Sequence, residues 1–151
     1  MQSLRYRPNV AAIIRRKDGR ILIGERSGIP GSWQFPQGGI KKSETTTEAL
    51  VRELKEEVSL EPFHYRIVDS KGPYRYLFDQ GRTKEGYHGQ GQTYFLVDLL
   101  APDAQVNAAT EDPEFRQIRW ILPEEFQISW LPGFKQEVYR QVFLDFFGTR
   151  L

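Results

Sequence analysis

The sequence predicts an α/β protein in which a mixed β-sheet lies between two helices. Short apolar segments rich in branched and aromatic residues, bounded by glycine, proline or aspartate, predict the strands. Two longer segments repeat apolar residues at helical spacing and predict amphipathic helices. Strand segments lie on both sides of the first helix and the second helix follows them all, an order that favours a sheet covered on both faces.

The strands are predicted in chain order. Residues 10–14 and 20–23 are separated by Lys17-Asp18-Gly19, and the Asp-Gly pair favours a hairpin between two strands. Four later segments meet the same criteria, at residues 64–69, 74–78, 93–100 and 115–122.

The helices are predicted at residues 44–58 and 134–147. Ser43 is the predicted N-cap of the first helix, and Glu44 would then lie at the positive end of the helix dipole. Apolar residues at helical spacing in the second helix predict a stripe that packs on the sheet.

Composition limits the classes of function. No Pro-, Gly- or Ser-rich linker divides the 151 residues, so residues 1–151 are expected to form one domain. The absence of cysteine excludes disulfides, thiolate catalysis and sulfur-ligated metal sites. A net charge of +1 does not provide the broad basic surface of a protein that binds duplex DNA. No apolar segment has the length of a signal peptide or membrane span, so we expect no membrane partner and a cytoplasmic location.

Residues 38–60, GGIKKSETTTEALVRELKEEVSL, join a Gly-Gly loop to a helix rich in carboxylates. Glu53, Glu56 and Glu57 stand at positions i, i+3 and i+4, so they share one helix face. Like charges at this spacing repel by a few tenths of a kcal/mol per pair unless a cation lies between them. Magnesium prefers carboxylate, water and phosphate oxygens. The alternative is a solvated face on which basic neighbours such as Arg52 pair with the acids.

The wider pattern resembles the signature of the Nudix hydrolases. Gly38, Glu44, Arg52 and the aliphatic Leu60 match its positions, together with the three glutamates. Ser59 departs from it, because the family usually has glycine there. The resemblance implies a Nudix α/β/α sandwich that hydrolyses a phosphoanhydride bond with Mg²⁺, for which Mn²⁺ can substitute.

The resemblance also implies a role for each residue of this segment. Glu53, Glu56 and Glu57 are expected to bind the metal ions, and the carbonyl of Gly38 to complete a metal shell. Either Glu53 or Glu57 is expected to be the base that accepts the proton of the attacking water, and we prefer Glu53. Arg52 is expected to orient a neighbouring glutamate through a charge-assisted hydrogen bond.

Segments outside the signature resemble one group of this family, the bacterial RNA pyrophosphohydrolases and the related dinucleoside tetraphosphate hydrolases. They are YRPNV at 6–10, WQFPQGGI at 33–40, GQGQTYF at 89–95, PEF at 113–115 and FKQEVYRQV at 134–142. The resemblance therefore covers nearly the whole chain.

This narrower resemblance adds residues to the predicted site. Glu114 is expected to reach the metal ions from outside the signature, with a surface acid as the alternative. Phe134 is expected to stack on a base, with burial in the core as the alternative. The loop of residues 26–31 is a candidate contact for a second nucleotide. The phosphate chain is expected to contact Arg7, Tyr76, Gln90, Gln92 and Lys135.

Three functions are consistent with the sequence. The first is removal of phosphates from the triphosphorylated or diphosphorylated 5′ end of RNA. The second is hydrolysis of dinucleoside tetraphosphates or free (deoxy)nucleoside triphosphates by the same residues. The third is a catalytically inactive module that senses a nucleotide, and the intact set of acids argues against it. The expected partner is an RNA 5′ end or a nucleotide, and the sequence leaves open whether the protein is a monomer or a homodimer.

Overall fold

A computed structural model describes residues 3–151, which form one seven-stranded sheet and two α-helices. The strands are β1 (Tyr6–Arg15), β2 (Ile21–Arg26), β3 (Trp33–Gln34), β4 (Gln37–Gly39), β5 (Tyr65–Leu77), β6 (Gly89–Leu99) and β7 (Phe115–Ile121). The helices are α1 (Thr46–Val58) and α2 (Gly133–Phe147). Neither is long and apolar enough to cross a membrane.

The sheet is mixed, as the sequence predicts. Its main order is β3-β2-β1-β6-β5, while β4 also pairs with β1 and β7 with β2. β1 and β6 are parallel from Tyr6 opposite Gly89 to Arg15 opposite Asp98, and the other pairs are antiparallel. The parallel pair brings the N-terminal ends of β1 and β6 to one edge of the molecule.

Side chains of β1 alternate between two apolar clusters. Ala11 and Ile13 pack in the cluster that contains α2, while Val10, Ala12 and Ile14 pack in the cluster that contains α1. A strand whose successive residues are all buried must be covered on both faces. The α/β/α sandwich predicted from the sequence is therefore confirmed.

The start of α1 differs from the prediction. The helix begins at Thr46, and its N-cap is Thr45. The hydroxyl of Thr45 accepts the backbone N–H of Glu48, whose carboxylate accepts that of Thr45 in return. This capping box satisfies two free donors at once. Ser43, the predicted cap, has a φ of 69° and belongs to the preceding loop, together with Glu44.

The end of α1 matches the expectation that Ser59 takes the place of a glycine. Ser59 has a φ of 62°, in the left-handed region that glycine adopts most easily. Its hydroxyl donates to the carbonyl of Asn107 at 2.9 Å. This contact helps to hold a conformation that costs about 1 kcal/mol for a residue with a side chain.

The two strands predicted at residues 64–69 and 74–78 are one strand, β5. Its register against β6 shifts between Ile67 and Asp69 and again between Lys71 and Tyr74. Such bulges let extra residues interrupt the pairing without ending the strand. The prediction also missed β3 and β4, because strands of two or three residues are too short to show a periodicity.

Candidate active site

Two consecutive glycines of β4 allow charged side chains to approach the strand closely. A Cβ on Gly38 would lie 2.1 Å from Oε1 of Glu53, and a Cβ on Gly39 would lie 2.2 Å from Nη2 of Arg7. Successive residues of a strand face opposite sides of the sheet. The Gly-Gly pair therefore admits a carboxylate on one side and a guanidinium on the other.

Arg52 connects the loop before α1 to the acids of the helix. Its Nε donates to Oε2 of Glu44 at 2.7 Å, and its Nη2 donates to Oε1 of Glu44 and to the Gly39 carbonyl, both at 2.9 Å. Its Nη1 donates to Oε1 of Glu53 at 2.7 Å. Hydrogen bonding from Arg52 lowers the pKa of Glu44 to about 2. Arg52 thus has the contacts that an orienting role for Glu53 requires.

Three acids lie close together beside this network. Glu53 is only 8% exposed, and Glu57 and Glu114 are half-buried. Burial raises the pKa of Glu57 well above its usual range, and the carboxylates of Glu114 and Glu53 raise it further. Burial likewise raises the pKa of Glu114. Such neighbours do not readily ionise together unless a cation compensates their charge.

The donor chemistry of this cluster fits a divalent metal ion. Oε2 of Glu57 is buried and has no hydrogen-bond partner among residues 3–151. A buried carboxylate oxygen without a donor is costly, and coordination by a hard cation would satisfy it. Glu57 and Glu114 also border a cavity of about 490 Å³, together with Glu56, Thr110, Glu111 and Asp112.

Glu56 lies apart from the three clustered acids. Its side chain is 54% exposed, and its Oε2 lies 3.3 Å from Nη1 of Arg52. Within the described part of the chain, no three acidic or histidine side chains are positioned to hold a metal ion as they stand. Glu56 would have to turn from Arg52 toward Glu57 to join such a site, a movement that its exposure permits.

Glu114 is held in place by the loop that follows β2. The backbone N–H of Ser27 donates to the Glu114 carbonyl at 2.8 Å, and the Ser27 hydroxyl donates to that of Pro113 at 2.9 Å. Nε2 of Gln34 lies 3.4 Å from the Glu114 carboxylate. The positive charge of nearby Arg26 lowers the pKa of Glu114, against the effect of burial. The sequence indicated Arg26 only as part of the 26–31 loop.

Lys135, in the first turn of α2, lies on the opposite side of Gln34. Its Nζ is 3.4 Å from Oε1 of Gln34. Burial lowers the pKa of Lys135 to about 8, and the charges of Arg26 and Lys84 lower it too, while Glu114 opposes them. Arg26 and Lys135 therefore form a basic side of the site next to Glu114, which Gln34 joins to Lys135 through the two ends of its amide.

Tyr76 and Gln90 lie together on neighbouring strands, β5 and β6. Nε2 of Gln90 donates to the Tyr76 hydroxyl at 2.8 Å, and Oε1 of Gln90 is buried without a partner in residues 3–151. Burial raises the pKa of Tyr76 to about 12, while the charges of Arg26 and Arg7 oppose the rise. The structure thus brings these two residues near both arginines.

Gln92 corrects the prediction that it contacts the phosphate chain. It is 4% exposed, and its Nε2 donates to Oδ1 of Asn9 at 3.0 Å. Its Oε1 accepts the Tyr94 hydroxyl at 3.2 Å, and Nδ2 of Asn9 donates to Oε1 of Gln37 at 2.8 Å. A buried amide with both ends occupied supports its neighbours and does not reach a substrate.

The position of Phe134 is intermediate between its two predicted roles, base stacking and burial in the core. It is half-buried and packs against the apolar cluster on the α2 side of the sheet. Its ring centroid is 5.8 Å from that of Tyr76, and the ring also lies 5.9 Å from Nζ of Lys135. One part of the ring therefore contacts the core, and the remainder lies at the rim of the site.

The sequence missed the supporting residues Asn9, Gln34 and Gln37. All three occur in the quoted segments YRPNV and WQFPQGGI. Asn9 and Gln34 are almost fully buried. A buried polar residue needs a hydrogen-bond partner. Polar residues that interrupt apolar strands were therefore the signal that could have identified Asn9 and Gln34.

The fold and site define an α/β protein with a carboxylate cluster suited to a divalent cation and a basic side suited to phosphate. The NUDIX domain family matches residues 5–142, and the chain belongs to this family. Nudix hydrolases generally need divalent metal cations.

Two bacterial relatives resemble nearly the whole chain. An RNA pyrophosphohydrolase of a Nitratiruptor species is 40% identical over 153 residues, covering 97% of this chain and 96% of the relative. An RNA pyrophosphohydrolase of a Marinomonas species is 41% identical over 142 residues, covering 90% and 87%.

Solved structures share the fold at low sequence identity. The dihydroneopterin triphosphate pyrophosphohydrolase of E. coli has a TM-score of 0.71 at 20% identity, covering 94% of this chain and 97% of that protein. An Ap4A hydrolase of C. elegans has a TM-score of 0.66 at 20% identity, covering 95% and 99%. These similarities support the architecture alone.

Proposed function

We propose that the protein hydrolyses a phosphoanhydride bond at the triphosphorylated or diphosphorylated 5′ end of RNA, with Mg²⁺ as its cation and Mn²⁺ as a substitute. The observation that carries the chemistry is that acids and cations meet at Gln34. The two ends of its amide lie 3.4 Å from the carboxylate of Glu114 and from the ammonium of Lys135. A polyphosphate substrate needs both the acids, which would hold the cation, and the basic residues, which would bind its phosphates. The choice of RNA is supported by the names and coverage of the bacterial relatives.

Each acid of the site has a proposed role in the reaction. Bound Mg²⁺ would neutralise phosphate oxygens and acidify the attacking water. We assign Glu53, Glu56, Glu57, Glu114 and the Gly38 carbonyl to holding it. Glu53 is the proposed base, and Glu57 the alternative. The water oxygen bonds to phosphorus, the base takes the proton, and the leaving phosphate departs with the electron pair of the broken P–O bond.

Arg52 is the proposed orienting residue of this reaction. Its guanidinium fixes Oε1 of Glu53 at 2.7 Å while Glu44 fixes the guanidinium. A base held in one orientation loses less freedom when the transition state forms. Arg52 therefore serves catalysis through Glu53.

The opposite side of the site is proposed to hold the substrate. We assign Arg7, Tyr76, Gln90 and Lys135 to binding the phosphate chain. Gln90 and Tyr76 would act as a pair, because Nε2 of Gln90 donates to the Tyr76 hydroxyl. The exposed part of Phe134 is the proposed surface for a base. Stacking of a base on an aromatic ring contributes about 1 to 3 kcal/mol.

Comparison of substrates tests this proposal. Initial rates on triphosphorylated RNA, diadenosine tetraphosphate and dGTP are measured at equal enzyme and Mg²⁺ concentrations. We expect the highest kcat/KM on RNA, with 5′-monophosphorylated RNA as the product. A higher kcat/KM on diadenosine tetraphosphate or dGTP would support the second function instead. No turnover of any of them would support the inactive nucleotide-sensing module.

A cytoplasmic location and a choice between monomer and homodimer accompany the proposal and stay predictions. Sedimentation equilibrium would decide between the two assemblies, because it measures whether the particle has the 17.6 kDa mass of one chain or twice that mass.

A further inference from the structure

Several basic side chains form ion pairs at one end of the sheet, whereas three at the other end form none with residues 3–151. Near the C-terminal end of β1, Arg15 pairs with Asp98, Arg16 with Asp103 and Arg20 with Asp18, at 2.6 to 3.0 Å. Near its N-terminal end, Arg5, Arg7 and Lys84 form no ion pair with any residue from 3 to 151. Cations left without carboxylates are free to attract an anionic ligand.

Arg5 is held in a defined position at this end. Its backbone N–H donates to Nδ1 of His88 at 2.9 Å, and its carbonyl accepts the His88 N–H at 2.7 Å. Its guanidinium lies over the Tyr87 ring, 5.0 Å from the centroid. Tyr87 is fixed in turn, because it exchanges two backbone hydrogen bonds with Lys84 across a tight turn. The Arg5 guanidinium, held over the Tyr87 ring, would therefore lose little conformational freedom on binding a ligand.

This stacked pair adjoins the phosphate side of the active site. Arg5 and its partner His88 directly precede the pairing of β1 with β6, in which Tyr6 lies opposite Gly89 and Arg7 opposite Gln90. Arg7 itself contacts Gly39 of the site. Lys84 is tied to Tyr87 at the other end of the turn, because the N–H of each residue donates to the carbonyl of the other at 2.9 to 3.0 Å. Arg5, Lys84 and Tyr87 therefore form a surface that begins at the site and extends away from it.

We propose that Arg5, Lys84 and Tyr87 bind the nucleotides that follow the 5′ end of a single-stranded RNA substrate. Lys84 and Arg5 would contact backbone phosphates, and the Arg5–Tyr87 stack would receive an unpaired base. Aromatic rings and guanidinium planes stack on bases of single strands without reading their sequence. This inference rests on the proposed RNA function. It also supplies a means of preferring RNA, because diadenosine tetraphosphate has no phosphodiester chain for this surface to hold.

The length of the RNA substrate provides the test. The kcat/KM is measured on triphosphorylated single-stranded RNA about ten nucleotides long and on a triphosphorylated dinucleotide. We expect Arg5→Ala and Tyr87→Ala each to lower it on the longer RNA by about fivefold or more, the effect of losing one stacked base. Both variants should stay within about twofold of wild type on the dinucleotide and on diadenosine tetraphosphate.

Salt dependence tests the phosphate contact separately. For single strands, each neutralised phosphate contributes about −0.7 to the slope of log affinity against log salt concentration. We therefore expect Lys84→Ala to reduce the steepness of this slope by about that amount for the longer RNA. The affinity is measured with a fluorescent 5′-monophosphorylated RNA in the presence of chelator, so that turnover does not interfere.

Arg75→Ala is the matched control. Arg75 also lies over a tyrosine ring, that of Tyr6 at 5.5 Å, across Gly91 on the other face of the sheet. The Arg75→Ala variant loses the same charge and the same kind of contact with a ring. We expect its kcat/KM to equal that of wild type on both RNAs. Tyr87→Phe keeps the ring and should retain the wild-type rate. The unchanged rate of Tyr87→Ala on the dinucleotide would show that this variant folds and that its loss on the longer RNA comes from the missing ring.

The outcomes separate this inference from the proposed function. Wild-type protein that hydrolyses RNA ends at equal efficiency for both lengths would overturn the inference alone. Equal losses on both lengths, or an Arg75→Ala loss as large as that of Arg5→Ala, would also overturn it. Wild-type protein that hydrolyses diadenosine tetraphosphate but neither RNA would overturn the proposed function, and the inference with it.

Discussion

Gly38→Ala should damage the active site while leaving the fold intact. The added Cβ would lie 2.1 Å from Oε1 and 2.2 Å from Cδ of Glu53, whereas ordinary contacts begin at 3.4 Å. The carboxylate must therefore retreat by roughly 1 Å, and its 2.7 Å hydrogen bond from Arg52 must stretch or break. A misplacement of about 1 Å in a catalytic group can cost about 10²-fold in rate. We expect a loss of that size in kcat.

The assay is steady-state hydrolysis beside chemical denaturation. The free energy of unfolding should change by less than about 1 kcal/mol, because alanine restricts the unfolded chain more than glycine does and the flexible Glu53 side chain can move. Gly91→Ala is the control. Its Cβ would meet its nearest neighbour, Cβ of Pro73, at 3.7 Å, an ordinary contact. We expect it to retain wild-type activity.

A folded Gly38→Ala protein whose kcat lies within about threefold of wild type would refute this reasoning. The same loss of activity in Gly91→Ala would refute it equally, since that control leaves Glu53 untouched. A large fall in stability would show instead that the backbone at Gly38 yields before the carboxylate does.

Three further predictions follow from the site. Glu53→Gln should keep the fold and lower kcat by at least about 10²-fold, and a folded variant near wild-type rate would remove Glu53 from the mechanism. Lys135 has a pKa lowered to about 8, so it is a cation below that pH and neutral above it, and kcat/KM should fall as pH rises through about 8. Arginine stays charged throughout this range, so Lys135→Arg should move the fall to higher pH, and an unchanged profile would contradict the assignment. Phe134→Ala should raise KM by about fivefold or more and cost less than the roughly 3 to 5 kcal/mol of a fully buried phenylalanine, because the ring is half-buried. A large loss of stability with an unaltered KM would place Phe134 in the core.

The sequence predicted the elements whose pattern is local. The apolar run of β1 and the helical periods of α1 and α2 come from residues close together in the chain. The bounds of both helices were predicted to within two residues, whereas β1 also extends over residues 6–9. The capping box was missed because two possible starts compete, and the one with Glu48 three residues later satisfies more donors. Local sequence therefore predicted the existence of α1 more accurately than its first residue.

Features that depend on long-range pairing were beyond the sequence. Helical spacing places Glu53, Glu56 and Glu57 on one side of α1, but only the fold brings Glu114, from the segment before β7, beside Glu57. The burial of Gln92 depends on its partner Asn9, which only the parallel pairing of β1 with β6 brings alongside. A spacing rule gives the face of an element and not the neighbours that occupy it.

Arg26 shows the same limit. The sequence indicated its loop, yet its proximity to Glu114 arises from the bulge where β2 pairs with β7. That irregularity shifts the register between Glu25 and Arg26, and no local signal marks it. The chemistry of the site was therefore predictable from the signature, while the arrangement of its basic side required the fold.

We expect a divalent cation to compensate the charge of the crowded acids around Glu57. The direct measurement is the thermal midpoint of unfolding as Mg²⁺ is added, for wild type, Glu57→Gln and the exposed control Glu124→Gln. A ligand that binds only the folded state stabilises it by about 2.7 kcal/mol at a hundred times its Kd. We predict that the midpoint rises with Mg²⁺ in wild type and in the control. Without Mg²⁺ at neutral pH, Glu57→Gln should be more stable than wild type. Burial keeps the Glu57 carboxyl protonated in the folded protein, whereas it ionises in the unfolded chain, and the neutral amide avoids this cost. The variant should gain much less from Mg²⁺. An equal rise of the midpoint in Glu57→Gln and wild type, or no rise in wild type, would contradict a cation site at these acids.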